Sequence, residues 1–555
     1  MPPSSPRPSV YLVAAAREHF GHESLLPGQA DAVGALLAGR DVLLVSPTGS
    51  GKSLTYQLAG VLLDGLTLVV SPLLALQADQ LAHLEEAGQV AGRISSEESA
   101  GERADVLERA ASGELRFLFL APEQLANPEV HAAVASLAPV LVAVDEAHCV
   151  SAWGHDFRPD YFRLGELVAT LGAEAEGSAE IQRPRIIAMT ATAAHPVRED
   201  IADRLGMVDP LAVATGFARD NLELDVVRAV DPDHQRRVVL ELVAQRAAEA
   251  KGSGTGLLYA RTRRGAEMYA EALAEAGLRT AVYHAGLARK VRQQAHDDFA
   301  DGRVDVVAAT SAFGMGIDKP DIRYVVHADA PESPDTYYQE VGRAGRDGEP
   351  AKGTLVYRPE DLSLGKFFAA SVPRRKDVEK VLRAVEAAGS SDPRAVTEVC
   401  EFGARKTGRI LNLVTLAREV GAVDDSSGVR ATVTAVVERA EAQRRLEDSR
   451  VEMMRGYAET DRCRSSFLVG YFGEQQEDPC GMCDNCRAGL AEEAGAADVD
   501  APYPVQSHVR HEEFGVGTVT DVEEDRLTIL FEDVGYRTLS LEIVRSEGLL
   551  TTFGA

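Results

Sequence analysis

The segment SPTGSGKS (46–53) sets glycines, a lysine and a serine between an apolar run, DVLLVSP (41–47), and a stretch of helical character. That order suits phosphate binding. Gly49 and Gly51 let the backbone approach a phosphate closely. The N–H groups of Thr48, Gly49, Ser50 and Gly51 at the helix start would cradle it. Lys52 would reach the β- and γ-phosphates, and the Ser53 hydroxyl would coordinate Mg²⁺. Further along, VAVDEAHC (142–149) ends an apolar strand in two acids. Asp145 is placed to hold Mg²⁺, directly or through water, and Glu146 to polarise the attacking water. His148 is expected to couple the nucleotide to a neighbouring lobe. YYQEVGRAGRDG (337–348) offers Gln339, Arg343 and Arg346. Two arginines three apart share a helix face. Alone, either is a surface ion pair; across a cleft, one would act as an arginine finger on the γ-phosphoryl group. The chemistry expected is hydrolysis of ATP with Mg²⁺.

Four of the six cysteines, Cys463, Cys480, Cys483 and Cys486, fall within 24 residues as C-x16-C-x2-C-x2-C. Close C-x-x-C pairs let thiolates meet on one tetrahedral ion, and the distant cysteine closes the set. Zn²⁺ is the expected ion. A four-cysteine iron–sulfur cluster is the rival. Cys149 and Cys400 stand apart and read as core residues.

These residues need rigid elements to hold them. TLVVSP (67–72), RFLFLAPE (116–123), PVLVAVDEAH (139–148) and RIIAMTAT (185–192) read, with 41–47, as buried parallel strands of a doubly wound α/β sheet. AEAEGSAEIQ (173–182) reads as a polar surface loop. A second α/β block follows, with strand candidates TGLLYART, RTAVYHAG, VDVVAAT, YVVHAD and GTLVY. Two such blocks in tandem predict a bilobal machine with ligands at the carboxyl ends of its strands. SSDP (390–393) can cap a helix with Pro393 at its first position. Helices at 394–402 and about 406–420, then VRATVTAVV as a strand, read as a winged helix; an ordinary helical connector is the alternative. AEEAGAADVDAPYP (491–504) has linker composition, and the last 50 residues suit a small β-barrel. The expected divisions are 1–214, 215–360, 361–455, 456–490, the linker 491–504, and 505–555.

The net charge of −28 argues, taken as a sum, against a nucleic-acid partner. Its distribution removes the objection. Residues 492–555 hold 14 acidic and 4 basic side chains, whereas 374–450 holds 15 basic and 13 acidic ones. No apolar run approaches the ~18 residues of a membrane span. MPPSSPRPSV carries no apolar signal core, so a cytoplasmic protein without membrane partners is expected.

The motifs DEAH, TAT (190–192), YHAGL (283–287), ATSAFGMGIDKPDIR (309–323) and YQEVGRAGRDG (338–348) resemble the RecQ DNA helicases of superfamily 2, in the same order over about 10–360. The resemblance implies two RecA-like lobes and an ATP-dependent DNA helicase that moves 3′→5′ on single strands and opens forks, in repair or recombination. If the source is bacterial, it implies work on the nucleoid. VVSPLLALQADQ (69–80) and LAPEQL (120–125) resemble the DNA-contacting motifs of the first lobe; Ser71, and Thr310 in the second lobe, are carried over as DNA contacts. FGHESLLPGQ (20–29) resembles the family's adenine motif. Gln29 is expected to read the adenine edge, while His22 and Leu26 replace the family's Tyr and Arg, so a relaxed base preference is expected. RCRSSFLVGYFGE and CGMCDNC resemble the RecQ zinc module. The family places its winged helix after that module; here the winged-helix-like stretch comes first, with Arg405, Lys406 and Arg409 expected to face duplex phosphates. Residues 507–550 resemble the Tudor-like barrel of UvrD/PcrA helicases, which implies a protein partner such as RNA polymerase.

SAWGHDFRPDY (151–161) follows DEAHC directly and holds the chain's one tryptophan. Trp153 and Phe157 can stack on bases, at about 1–3 kcal/mol each, and Arg158 can meet a phosphate. The segment resembles the RecQ aromatic-rich loop that couples strand binding to hydrolysis. Trp153→Ala is therefore expected to keep basal ATPase activity and to lose its stimulation by single-stranded DNA, read in a steady-state phosphate-release assay; undiminished stimulation would refute the assignment.

Overall fold

The computed structural model describes residues 8–553 apart from 48, 73, 96–97, 152–160, 162–163, 172, 175–180, 315–318, 363–371, 420, 425–426, 477, 494–502 and 524. Thr48, Trp153, Phe157 and Arg158 thus lie outside the described residues.

The first lobe holds β1 (Val42–Val45), β2 (Thr67–Val70), β3 (Ala91–Ile94), β4 (Phe117–Leu120) and β5 (Leu141–Val144). After a separate two-stranded hairpin, β6 (Ala173–Glu174) and β7 (Ile181–Gln182), come β8 (Arg185–Thr190) and β9 (Leu211–Ala214). Seven of them form one parallel sheet, ordered β3-β4-β2-β5-β8-β1-β9. The strands are apolar at successive positions because helices cover both faces. Leu43, Val45, Val70, Val142 and Val144 pack in one core, and Val42, Leu44, Val69, Leu141 and Ala143 in the other. The register sets Val45 opposite Thr190, Val144 opposite Ala188, and Val70 opposite Val144. The chain therefore leaves several strands at one carboxyl edge.

The second lobe repeats the plan. It holds β10 (Leu222–Arg228), β11 (Thr255–Tyr259), β12 (Thr280–Tyr283), β13 (Val306–Ala309), β14 (Ile322–His327) and β15 (Ala351–Tyr357). The parallel order is β10-β15-β14-β11-β13-β12. Sequence patterning missed β3, β9 and β10. β3 reads AGRI, and β10 carries Glu223 and Asp225, so neither shows the long apolar run of a central strand.

The helical region departs from expectation at one element. Asp392 caps the helix Pro393–Val399 by accepting from the N–H of Arg394 and Ala395, as SSDP implies. The helix Ala404–Glu419 follows. The expected strand VRATVTAVV, however, is the start of one helix, Val429–Glu459. The wing is absent among the described residues, and the boundary expected at 455/456 falls inside this helix. β-Branched composition was misleading there. Thr432, Val433, Val436, Val437 and Ala440 are the buried positions, a 3.6-residue stripe facing Val378 and Val414. Lys406 also differs from expectation: its ammonium pairs with Asp377 at 2.8 Å and lies 3.8 Å from the Phe402 ring centre.

The cysteine segment seats on the second lobe. Asp484 accepts from the N–H of Val226 at 3.0 Å, Arg487 reaches Glu223 and Asp225 at 2.7 Å each, and Phe472 stacks on Phe217 at 4.4 Å. The C-terminal unit is a five-stranded antiparallel sheet of β16 (His508–His511), β17 (Gly515–Val522), β18 (Arg526–Phe531), β19 (Gly535–Ser540) and β20 (Leu550–Thr552), in the order β19-β18-β17-β16-β20. It is docked rather than pendant. Tyr536 stacks on Tyr471 at 4.8 Å and donates its N–H to Ser449 of the long helix. Arg462 bridges Asp521 at 2.7 Å and Glu523 at 2.8 Å. No described helix is long and apolar enough to cross a membrane.

Arg462 and its two carboxylates are largely buried, so removing the cation strands like charges in a poorly solvated joint. Arg462→Ala is expected to cost about 2–3 kcal/mol, measured by denaturant unfolding. A change below about 0.5 kcal/mol would mean that solvent screens the joint.

Candidate nucleotide site and interlobe cleft

At the carboxyl edge of the first sheet the chain turns from β1 into the helix Lys52–Leu62. Gly49 and Gly51 take φ of +82° and +68°, a region that a side chain disfavours. The loop is braced from within. Ser46 Oγ donates to Ser50 Oγ at 2.6 Å, and Ser50 Oγ lies 2.7 Å from the Pro47 carbonyl. Lys52 Nζ donates to the carbonyls of Ser46 and Pro47 at 2.9 and 3.1 Å. Ser53 Oγ accepts from Gln80 Nε2 at 2.8 Å. The buried Gln29 accepts the Leu26 N–H and donates to the Gly51 carbonyl, both at 2.9 Å, so its amide ties the adenine motif to the phosphate loop. Leu26 and His22 are exposed beside it.

Asp145 leaves β5 at the same edge. Its carboxylate accepts from the N–H of Glu146 at 3.0 Å and, at a long 3.4 Å, from Ser71 Oγ. Burial, and next the charge of Glu146, push its pKa up to about 7 against the pull of Lys52. A divalent cation would reverse that balance. Glu146 holds a left-handed backbone, φ +48°, unusual for a residue with a side chain. Nδ1 of the buried His148 lies 3.3 Å from Glu146 Oε2 and 3.0 Å from Thr190 Oγ1. Thr190 Oγ1 donates in turn to the Thr192 carbonyl at 3.1 Å.

The second lobe meets this edge directly. Gln339 Nε2 donates to Thr192 Oγ1 at 3.3 Å. Polar contacts therefore run from Gln339 through Thr192 and Thr190 to His148, whose Nδ1 lies beside the Glu146 carboxylate without a hydrogen bond to Oε2. Arg346 lies against the phosphate loop: a Cβ placed on Gly49 would stand 2.6 Å from its Cγ. Arg343 is buried inside the second lobe instead, near Gly314 and Tyr259. Of the two arginines, Arg346 is the one that spans the cleft. Thr310, directly after β13, donates its N–H to the Tyr283 carbonyl in the second lobe. The bridging role of Thr190 and Thr192 and the bracing role of Gln80 were not assigned from sequence. TAT was visible as a motif; nothing marks Gln80 apart from polarity on a helix.

The four cysteine Sγ atoms lie within 4.8 Å of one another, with Cys480 and Cys486 at 3.9 Å. Thiolates about 2.3 Å from a tetrahedral ion stand about 3.8 Å apart, so the set fits Zn²⁺. Backbone N–H groups of Cys480 and Arg464 donate to Cys463 and Cys483 Sγ at 3.2 and 3.4 Å. Hydrogen bonds from neighbouring thiols hold Cys463 far below the ordinary thiol range, while burial pushes Cys486 up to about 12.

Comparison with known proteins gives three family matches: DEAD/DEAH box helicase over residues 26–201, helicase conserved C-terminal domain over 235–348, and RecQ zinc-binding over 423–487. The probable ATP-dependent DNA helicase RecS of Bacillus subtilis is 32% identical over 516 residues, covering 91% of this chain and 98% of that protein. The ATP-dependent DNA helicase RecQ of Haemophilus influenzae is 32% identical over 469 residues, covering 84% of this chain. The chain spans only 62% of the length of that relative. Among solved structures, Mycobacterium smegmatis helicase Lhr bound to ssDNA and AMP-PNP shares the fold, with a TM-score of 0.51 at 23% identity, covering 79% of this chain and 63% of that one.

A buried carboxyl whose pKa is raised favours the folded state when protonated. Ionisation of Asp145 therefore erodes stability as pH rises from its unfolded value, about 4, to its folded value, about 7. In metal-free buffer, Asp145→Asn is expected to be the more stable form at pH 8, by up to about 4 kcal/mol, with the gain shrinking toward pH 4. An equal gain at both ends, by thermal unfolding, would contradict the burial argument.

Proposed function

The chain belongs to the RecQ family of ATP-dependent DNA helicases, and on that premise we propose that it hydrolyses ATP to travel 3′→5′ along single-stranded DNA and to open duplex at forks, in repair or recombination. The observation that carries this reading is the two-lobe contact at one edge: Arg346 against Gly49, and Gln339 tied through Thr192, Thr190 and His148 toward Glu146. A nucleotide held on this loop is felt by both lobes, the requirement for turning hydrolysis into relative motion.

In this reading Lys52 exchanges its two loop carbonyls for the β- and γ-phosphates. Ser53 and Asp145 would hold Mg²⁺, which would supply positive charge against the phosphates and keep Asp145 ionised. Glu146 orients the attacking water, with His148 Nδ1 3.3 Å from its carboxylate. Arg346 offers its guanidinium to the charge developing on the transferred group. Arg343 supports it from within the lobe. Thr310 takes a DNA phosphate on the second lobe, Gln29 holds the adenine motif to the phosphate loop, and Ser71, expected as a DNA contact, is buried with its hydroxyl on Asp145. The four thiolates hold Zn²⁺ as a structural ion, since four ligands leave no open position. The C-terminal sheet would recruit a protein, such as RNA polymerase, through the surface turned away from Ser449 and Tyr471. The place of work is the cytoplasm, at the nucleoid in a bacterium.

The test is strand displacement from a labelled fork. The parent chain should unwind it with ATP. Lys52→Ala should lose unwinding entirely, and Arg346→Ala should lose at least about 10³-fold in turnover while still binding nucleotide. ATPase stimulation by single-stranded DNA but not by RNA separates this reading from an RNA helicase. A parent chain that hydrolyses ATP on DNA yet never displaces a strand would leave only a DNA-gripping switch and refute the proposal.

A further inference from the structure

The chain passes from the first lobe to the second in a short joint between β9, which ends at Ala214, and β10, which begins at Leu222. Phe217 sits in this joint and is buried. Its carbonyl accepts from the Tyr338 hydroxyl of the second lobe at 2.8 Å. Its N–H donates to Glu474 Oε2 of the cysteine segment at 3.2 Å. Its ring lies 4.4 Å from that of Phe472 and 5.7 Å from that of Tyr338. The joint is thus held by the second lobe on one side and by the cysteine segment on the other. That segment is itself fastened to the second lobe through Asp484 and Arg487.

Glu474 also reaches the first lobe. Its Oε1 lies 3.7 Å from Nη2 of Arg198, on the helix His195–Arg204. Both side chains are largely buried, so removing one charge leaves the other in a poorly solvated place. Burial draws the Arg198 pKa down, and the charge of Glu474 opposes that shift. The guanidinium lies 5.9 Å from the Phe217 ring centre. The acids of the same helix are engaged or turned elsewhere. Glu199 lies 3.7 Å from His508, Asp200 pairs with Arg204 at 2.6 Å and accepts from Ser151 at 2.6 Å, and Asp203 is exposed. Arg219, a second cation of the joint, donates to the carbonyls of Gly342, Ala344 and Gly345.

The path continues to the nucleotide edge. Arg198 Nε donates to the Ala193 carbonyl at 2.8 Å. Ala193 directly follows Thr192, which accepts from Gln339 across the cleft, and Gln339 directly follows Tyr338. The two segments that meet at that edge are therefore each bonded to the joint that Glu474 holds. Resting on the helicase reading above, we propose that Glu474 is a positioning residue for ATP hydrolysis. Through Arg198 it sets the first lobe against the second, so that Thr192 stays within reach of Gln339, and Gly49 within reach of Arg346. The cysteine segment is then a strut of the motor as well as a fastening for the C-terminal sheet. A bias of this kind between two lobe arrangements is typically worth about 5–150-fold.

The test is steady-state ATP hydrolysis by the full chain with saturating single-stranded DNA. Turnover is counted per nucleotide site, titrated with a fluorescent ADP analogue, so that unfolded chain does not enter. Glu474→Gln keeps an acceptor for the Phe217 N–H and loses the charge that faces Arg198. It should lower kcat at least about fivefold and leave KM for ATP unchanged. Arg198→Gln should do the same, and the double variant Glu474→Gln/Arg198→Gln should be no slower than either single one, since both remove one interaction. Arg198→Lys, which keeps the charge, should recover most of the turnover. Unchanged kcat in Glu474→Gln overturns the proposal, and so do losses that multiply in the double variant. A raised KM with kcat intact also overturns it, assigning Glu474 to nucleotide affinity. A parent chain whose ATP hydrolysis is not stimulated by DNA refutes the helicase reading itself, whereas a stimulated parent with an indifferent Glu474→Gln refutes only this assignment.

Discussion

The parallel register of the first sheet is the constraint on which the site depends. Because Val45 is level with Thr190 and Val144 with Ala188, the phosphate loop, the Asp145–Glu146 pair and the TAT segment emerge at one edge. A slip of one residue in β5 would turn its inner face outward and carry Asp145 away from Lys52. Both faces are apolar and covered, so the fit of particular side chains into the two cores, not the hydrophobic pattern alone, opposes such a slip. The packing of the two cores and the placing of the loop and the acid pair are thus linked.

The edge also concentrates charge where water is scarce. Asp145 is buried beside Glu146, and Lys52 does not fully offset the cost of the two acids. The left-handed backbone at Glu146 adds local strain. A divalent cation beside Asp145 would offset the first cost. The first lobe is therefore built to be completed by what it binds, and Gln339 and Arg346 reach it from the second lobe across the cleft.

The cysteine segment does its work by adhesion. Asp484, Arg487 and Phe472 fasten it to the second lobe, while Tyr471 and Arg462 fasten it to the C-terminal sheet. An ion that fixes the four thiols also fixes these side chains. The C-terminal sheet, joined by a segment of linker composition, is consequently part of the body of the molecule. The face of it that holds Tyr536 is spent on that joint and is not available to another protein.

Much of this was legible in the sequence, for definable reasons. The phosphate loop, the acids after β5 and the cysteine spacing are short-range patterns whose chemistry depends on neighbours in the chain. The central strands show as long apolar runs because both their faces are buried. Edge strands such as β3 and β10 lack that signal. The helix Val429–Glu459 was misread because β-branched residues favour strands locally, while their spacing, which suits a helix, matters only once Val378 and Val414 lie opposite. The choice between Arg343 and Arg346, the path from Gln339 toward Glu146, and the pairing of Lys406 with Asp377 were decided by the tertiary structure alone. Each depends on the distance between residues far apart in the chain. Sequence by itself determined which groups the chain carries and how each strand and loop would set them; packing of the lobes and helices determined which of those groups meet.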